Sequence, residues 1–252
     1  MTAGAGRAGS PQGATVSRNI CVRALIVGII ALLPAPATAG QIGAVVSIFS
    51  DDRFRGVSVS DGRPVGTVDL SYDAPNGFYG NLSGTLVATR DEGIKALSVV
   101  FNSGYATQLR SGLTADFGVS HTRYSHYSSL SSGRAFTEAY AGLAGKILGG
   151  RISVSPDYYG FARWAAHGEL DAHVDLSRNS AVDGEAGLFV PLGHSTYEGS
   201  LHPEFDVRVG FAQRAGPVTF HAAVSGRSGD DSIYGGHGHG RVALVLGLSA
   251  TL

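Results

Sequence analysis

Glu204-Phe205-Asp206-Val207-Arg208-Val209-Gly210-Phe211 alternates strictly between polar and apolar side chains. Successive side chains of an extended strand point to opposite faces. Phe205, Val207, Val209 and Phe211 therefore share one face, and Glu204, Asp206, Arg208 and Gly210 the other. Glu169-Leu170-Asp171-Ala172-His173-Val174-Asp175-Leu176 repeats the pattern with opposite parity. Val242, Leu244, Leu246, Leu248, Ala250 and Leu252 fall on one face of the final segment, with Ala243, Val245, Gly247, Ser249 and Thr251 on the other. A soluble sandwich alternates too, but its polar face meets bulk water and is usually rich in Lys and Glu. In this chain Lys occurs only at Lys95 and Lys146.

Counting outward from that segment, the alternating runs give strands at 43–53, 64–73, 78–87, 94–105, 112–123, 135–143, 149–156, 165–176, 181–191, 203–212, 216–225 and 241–252. Twelve is an even number, as bacterial single-chain barrels have, and most runs are near the roughly 9–11 residues of a tilted transmembrane strand. The connections alternate in length. Those at 74–77, 106–111, 144–148, 177–180 and 213–215 are short and hold turn chemistry such as Pro75-Asn76-Gly77 and Arg178-Asn179-Ser180. Those at 54–63, 88–93, 124–134, 157–164, 192–202 and 226–240 are mostly longer and rich in Gly, Ser, Tyr and His. Short periplasmic turns opposite longer external loops are characteristic of outer-membrane barrels, and a soluble fold has no reason to alternate so. The expected fold is all-β: a transmembrane antiparallel up-and-down β-barrel of about twelve strands, with both ends in the periplasm.

The first 39 residues have a different character. Arg18 and Arg23 precede the apolar run 24–33, Pro34 ends it, and Ala37-Thr38-Ala39 supplies small residues for a signal peptidase. The run is too short to cross a bilayer core, which takes about 20 residues, and it reads as a cleaved secretory signal over 1–39 ahead of a barrel over 40–252. The single cysteine, Cys21, lies within that signal, so the exported part has none and draws its stability from a closed hydrogen-bonded sheet. Charged residues make up only 15% of the chain and the formal net charge is −1, which leaves no basic surface for nucleic acid. The mean hydropathy of +0.10 is too low for a helical membrane protein.

The stretch Arg53-Phe54-Arg55-Gly56-Val57-Ser58-Val59-Ser60-Asp61-Gly62-Arg63-Pro64 resembles a bacterial family of conserved hypothetical exported proteins, Gcw_chp, whose members carry F-R-G-x-S-x-S-D-x-x-P shortly after the mature N-terminus. Phe54, Arg55, Gly56, Ser58, Ser60, Asp61 and Pro64 fit that pattern. Gly77-Phe78-Tyr79-Gly80 and Thr137-Glu138-Ala139-Tyr140-Ala141-Gly142 are similar to the family as well. The resemblance implies an outer-membrane barrel and assigns no catalytic residues. Read physically, Asp61-Gly62 and Pro64 make a turn at the external rim, and Gly56 allows a bend at the strand's upper end. Arg55 is then placed at the rim, within reach of an acidic lumen residue or a lipopolysaccharide phosphate.

With the apolar faces toward lipid, the polar faces line the lumen. Asp69, Asp116, Glu138 and Arg151 lie there on separate strands. Glu169, Asp171, His173 and Asp175 follow on the eighth expected strand, Asp183 and Glu185 on the ninth, and Glu204, Asp206 and Arg208 on the tenth. Carboxylates thus gather on three successive strands, and such groups need water or arginine partners. That wall points to a porin-like channel for small polar solutes, with a non-conducting structural or adhesion barrel and a soluble periplasmic β-protein as alternatives. Of nine histidines, only His173 and His221 read as lying well within strands on the polar face, and no nucleophile elbow accompanies them, so no enzymatic activity is expected. Neither the Asp171, His173, Asp175 row nor the glycine-histidine run 235–240 has convincing metal-ligand spacing, and no cofactor is expected. The expected partners are outer-membrane lipid and lipopolysaccharide, the barrel-assembly machinery and small polar solutes.

Overall fold

The computed structural model describes residues 40–129, 134–160, 164–192, 202–229 and 242–252. The segment 1–39, read above as an export signal, and the histidines of 235–240 lie outside the described residues. Twelve antiparallel strands close into a barrel: β1 (Gln41–Phe49), β4 (Val65–Asp73), β5 (Phe78–Ala88), β6 (Ile94–Gln108), β7 (Thr114–Tyr124), β8 (Ala135–Ala144), β9 (Leu148–Ser155), β10 (Trp164–Asp175), β11 (Ser180–Leu192), β12 (Glu204–Ala215), β13 (Val218–Arg227) and β14 (Val242–Thr251). Each strand pairs with its neighbours in sequence around the barrel. Closure comes from β1, which pairs with β4 on one side and with β14 on the other, placing Val46 opposite Val68 and opposite Ala250. No open edge is left, so every strand has partners on both sides.

The two faces separate as the alternation requires. Ile42, Val46, Val68, Leu82, Phe101, Phe117, Ile152, Leu170, Val209, Phe220 and Leu246 are exposed on the outer surface, Val209 by 56%. Among the inward residues, Ser47, Thr67, Thr85, Asn102, Asp116, Ser120, Glu138, Ser153 and Asp206 are buried. A polar interior inside an apolar wall inverts the arrangement of a water-soluble fold.

Among the described residues two short additions lie between the strands, and both sit at the barrel's long-loop end. β2 (Arg53–Phe54) and β3 (Val57–Ser58) form a hairpin between β1 and β4. A single turn of 3-10 helix, Tyr158–Gly160, follows β9. Their side chains build a hydrophobic cluster with inward residues of the wall, in which Phe54, Val57 and Val59 meet Leu97, Tyr124, Phe136, Tyr158, Tyr159 and Phe189. A bulge between β5 and β6 contributes to it. Thr85 pairs with Ser98 and Leu86 with Ala96, so the extra residue Leu97 turns inward and is fully buried.

The strand positions follow the sequence reading closely, with one difference of consequence. The expected first strand, 43–53, overshoots. β1 stops at Phe49, and residues 51–53 leave the wall to enter the hairpin. The alternation of polar and apolar residues simply continues through that departure, so nothing in the pattern marks it.

Candidate functional site

The hairpin folds into the lumen at the barrel's long-loop end. Arg55 and Gly56 form its two-residue turn, both with left-handed backbone (φ +49 and +74), while Phe54 pairs with Val57 and Arg53 with Ser58. Primed turns of this kind need positive φ at both central positions, which favours Gly at the second. A Cβ on Gly56 would also lie 2.6 Å from the Gly226 carbonyl oxygen of β13. The hairpin tip therefore rests directly against the wall. Gly56→Val is expected to cost more than the about 1–2 kcal/mol of left-handed strain alone, seen as a lower urea midpoint of the refolded barrel.

Ser58 and Ser60 of the motif, with Asp51 and Arg53 ahead of it, hold that loop. Ser58 Oγ donates to Asp51 Oδ1 at 2.6 Å, and the Ser60 hydroxyl lies 2.8 Å from the same oxygen. Asp52 N–H donates to Ser60 Oγ at 3.0 Å, and Gly62 N–H to Ser58 Oγ at 2.9 Å. Arg53 bridges Asp51 at 3.2 Å and the Gly56 carbonyl at 2.5 Å. Asp61 and Gly62, both with positive φ, turn the chain back toward Pro64 and β4. Backbone that would otherwise be unsatisfied inside a barrel is thereby hydrogen-bonded locally.

Arg55 anchors the hairpin across the lumen. Its guanidinium donates to Glu138 Oε1 of β8 at 2.8 Å and to the Tyr158 hydroxyl at 3.0 Å, and it stacks 4.7 Å from the Phe54 ring centroid. Burial works against its charge, but Glu138 and Tyr158 outweigh that penalty and raise its pKa above the ordinary guanidinium value, so it stays protonated. Phe54, Arg55, Gly56, Ser58 and Ser60 thus lie at the long-loop end, as the motif's expected place requires, but turned into the lumen. A connection carries no inside-or-outside parity of its own, and here buried apolar contact and the Arg55–Glu138 pair draw it inward. Of the two partners expected for Arg55, the acidic lumen residue is the one it meets.

The remaining lumen candidates all occupy inward-facing positions of the wall. Asp69 faces in from β4. Asp116 receives hydrogen bonds from Tyr79 at 2.6 Å and Arg151 at 2.8 Å, and Arg151 lies 4.5 Å from the Tyr140 ring centroid. This second network spans β5 to β9 nearer the short-turn end. On the acidic wall, Asp171 stands opposite Glu185, and Glu185 opposite Arg208. Arg208 pairs instead with Asp183, and Glu204 pairs with Arg227 at 3.0 Å. Glu169 lies opposite Arg151. His173 and Asp175, near the short-turn mouth, are 3.3 Å apart.

Several interior groups escaped the sequence reading. His167 is buried and its Nε2 lies 3.0 Å from Asp206 Oδ2, two strands away. The intervening strand makes room with Gly187, where a Cβ would come within 2.6 Å of His167 Nε2. His167 shares the parity of Glu169, and that signal alone would have placed it inside. Asp51, Arg53 and Arg227 were assigned to a strand end or a loop, and Tyr79 and Tyr140 share the parity of inward neighbours Asn81 and Glu138.

The hairpin and the aromatic cluster do not fill the whole cross-section. A cavity remains on the β11–β14 side, lined by Phe49, Asp51, Arg53, Arg55, Gly56, Glu185, Asp206, Arg208, His221, Ala223, Ser225 and Val245.

Solved structures share this architecture. A structure of the NanC porin matches with a TM-score of 0.52 at 13% identity, over 84% of this chain and 100% of that one. A structure of the KdgM porin matches with a TM-score of 0.50 at 10% identity, over 82% and 98%. At such identities the likeness concerns the fold. No curated protein matches the chain in sequence. A family model does: that of the Gcw_chp family, described as bacterial protein of unknown function, covers residues 34–246, and the chain belongs to that family.

Proposed function

We propose that this protein is an outer-membrane channel that passes small polar solutes through a lumen narrowed by its own inward hairpin. The observation that carries this reading is the cavity beside the hairpin, bounded by charged side chains within a closed barrel whose outer wall is apolar. A barrel with that outer wall is stable in lipid, and the fold it shares with porins supports the same assignment. Residues 1–39 supply the export signal in this reading, and the short turns face the periplasm. Passage is for small solutes, because the hairpin and the aromatic cluster occupy part of the cross-section.

Liposome swelling with sugars and amino acids of graded size tests the proposal. Entry of the smallest solutes with a sharp size limit is the expected result, and no swelling from correctly folded barrels would remove it. The hydrophobic cluster at the long-loop end favours a second reading, a barrel that serves only as a structural element, and that reading requires the absence of swelling.

The membrane-facing wall has its own test. Val209, outward and central on β12, becomes a charge in lipid when replaced by arginine. Val209→Arg is expected to cost about 2–4 kcal/mol of folding stability in a bilayer, measured by urea titration of the barrel refolded into vesicles. A neutral result would place that face in water.

A further inference from the structure

We propose that Glu185 is the anionic centre of a binding site for a small organic cation, an alkylammonium or guanidinium group, in the cavity between the hairpin and the β11–β13 wall; the proposal rests on the channel reading above. Every guanidinium lining this cavity already has a carboxylate of its own. Arg53 pairs with Asp51 at 3.2 Å, Arg55 with Glu138 at 2.8 Å, and Arg208 with Asp183. The Asp206 carboxylate takes His167 at 3.0 Å. Glu185 lines the same cavity, is only 9% exposed, and has no hydrogen bond or ion pair among the described residues.

Its place in the sheet explains why. Arg208 is its cross-strand neighbour on β12 but reaches Asp183. On β10 its neighbour is Asp171, another carboxylate. A buried carboxylate beside a like charge, with no ion pair of its own, is costly; it either takes up a proton or is held ionised by a cation brought from solution. Three features select an organic cation. Among the described residues no three His, Cys, Asp or Glu side chains converge as metal ligands. An ammonium or guanidinium can pair with the single carboxylate of Glu185 and leave its remaining N–H donors to water in the cavity. Phe49, whose ring lies 5.7 Å from that of His221, borders the same cavity and adds apolar surface for the hydrocarbon part of an organic cation.

The probe is benzylammonium, with benzyl alcohol and benzoate as neutral and anionic counterparts, observed by saturation-transfer NMR on the full barrel refolded in detergent. Benzylammonium alone should bind saturably. Loss of a charge-assisted contact in Glu185→Gln should weaken that binding by about tenfold or more. Glu185→Asp should retain part of it, and Asp175→Asn, at the short-turn mouth, should leave it unchanged. In planar bilayers under a KCl gradient, the reversal potential should show cation selectivity that Glu185→Gln reduces. Equal binding of the three probes, or benzylammonium binding unaltered in Glu185→Gln, overturns the site even where the channel conducts. Glu185-dependent binding by a barrel that passes no current supports the site and removes the channel reading instead.

Discussion

Replacing residues 51–63 with two glycines is expected to raise the single-channel conductance several-fold and to admit larger solutes. β1 and β4 pair up to Phe49 and Val65, so a short loop through Ser50 and Pro64 suffices to join them. The replacement removes Phe54, Val57 and Val59 from the lumen, together with the Arg53 and Arg55 side chains that border the cavity. The wall loses none of its ladder, because β2 and β3 pair only with each other. The variant should therefore still close into a barrel, which heat-modifiable migration on gels would verify. An unchanged conductance in a folded variant would mean that the hairpin does not limit passage.

Glu138→Ala should be the most destabilising single substitution in the interior. It leaves the Arg55 guanidinium buried without its carboxylate, and breaking such a pair from one side costs about 3–5 kcal/mol, at the lower end where water reaches the lumen. Removing both partners in Arg55→Ala/Glu138→Ala should recover much of that loss, since no unpaired charge remains. Urea unfolding followed by the fluorescence of Trp164, the chain's one tryptophan, provides the measurement. Trp164 sits exposed on the outer face at the start of β10, so its emission also reports bilayer insertion. Equal stabilities of Glu138→Ala and the double variant would show that the pair does not hold the hairpin.

The barrel was legible because its physics is written in single residues. A strand with lipid on one side and a polar lumen on the other must alternate, as Phe205 to Phe211 do, and in so lysine-poor a chain the alternating lengths of the connections favoured the barrel over a sandwich. Turn chemistry such as Pro75-Asn76-Gly77 then fixed which connections are short. The same alternation assigned Asp171, Glu185, Asp206 and Arg208 to the inner face.

What sequence withheld was pairing and the path of the loops. Arg208 choosing Asp183 over Glu185, and His167 reaching Asp206 across Gly187, depend on the register of β10, β11 and β12, which no one strand specifies. The motif from Phe54 to Pro64 was recognisable, and its Asp61-Gly62 turn was readable. Its inward path was not, because the deciding contacts are with Glu138, Tyr158 and Gly226, each 80 or more residues away in the chain. The motif's chemistry is explained once that path is known: Arg55 anchors, Gly56 fits the wall, and Ser58 and Ser60 satisfy Asp51 and the loop backbone.

The most direct test of a conducting lumen uses the absence of cysteine after residue 21. Ser225 faces the cavity on β13, while its neighbour Val224 faces outward. Planar-bilayer recordings of Ser225→Cys and Val224→Cys, before and after a charged water-soluble methanethiosulfonate, compare the two faces of one strand. The account predicts small discrete current steps from both, reduced by the reagent only in Ser225→Cys. No steps from folded barrels, or steps that modification at Ser225→Cys leaves untouched, would contradict it.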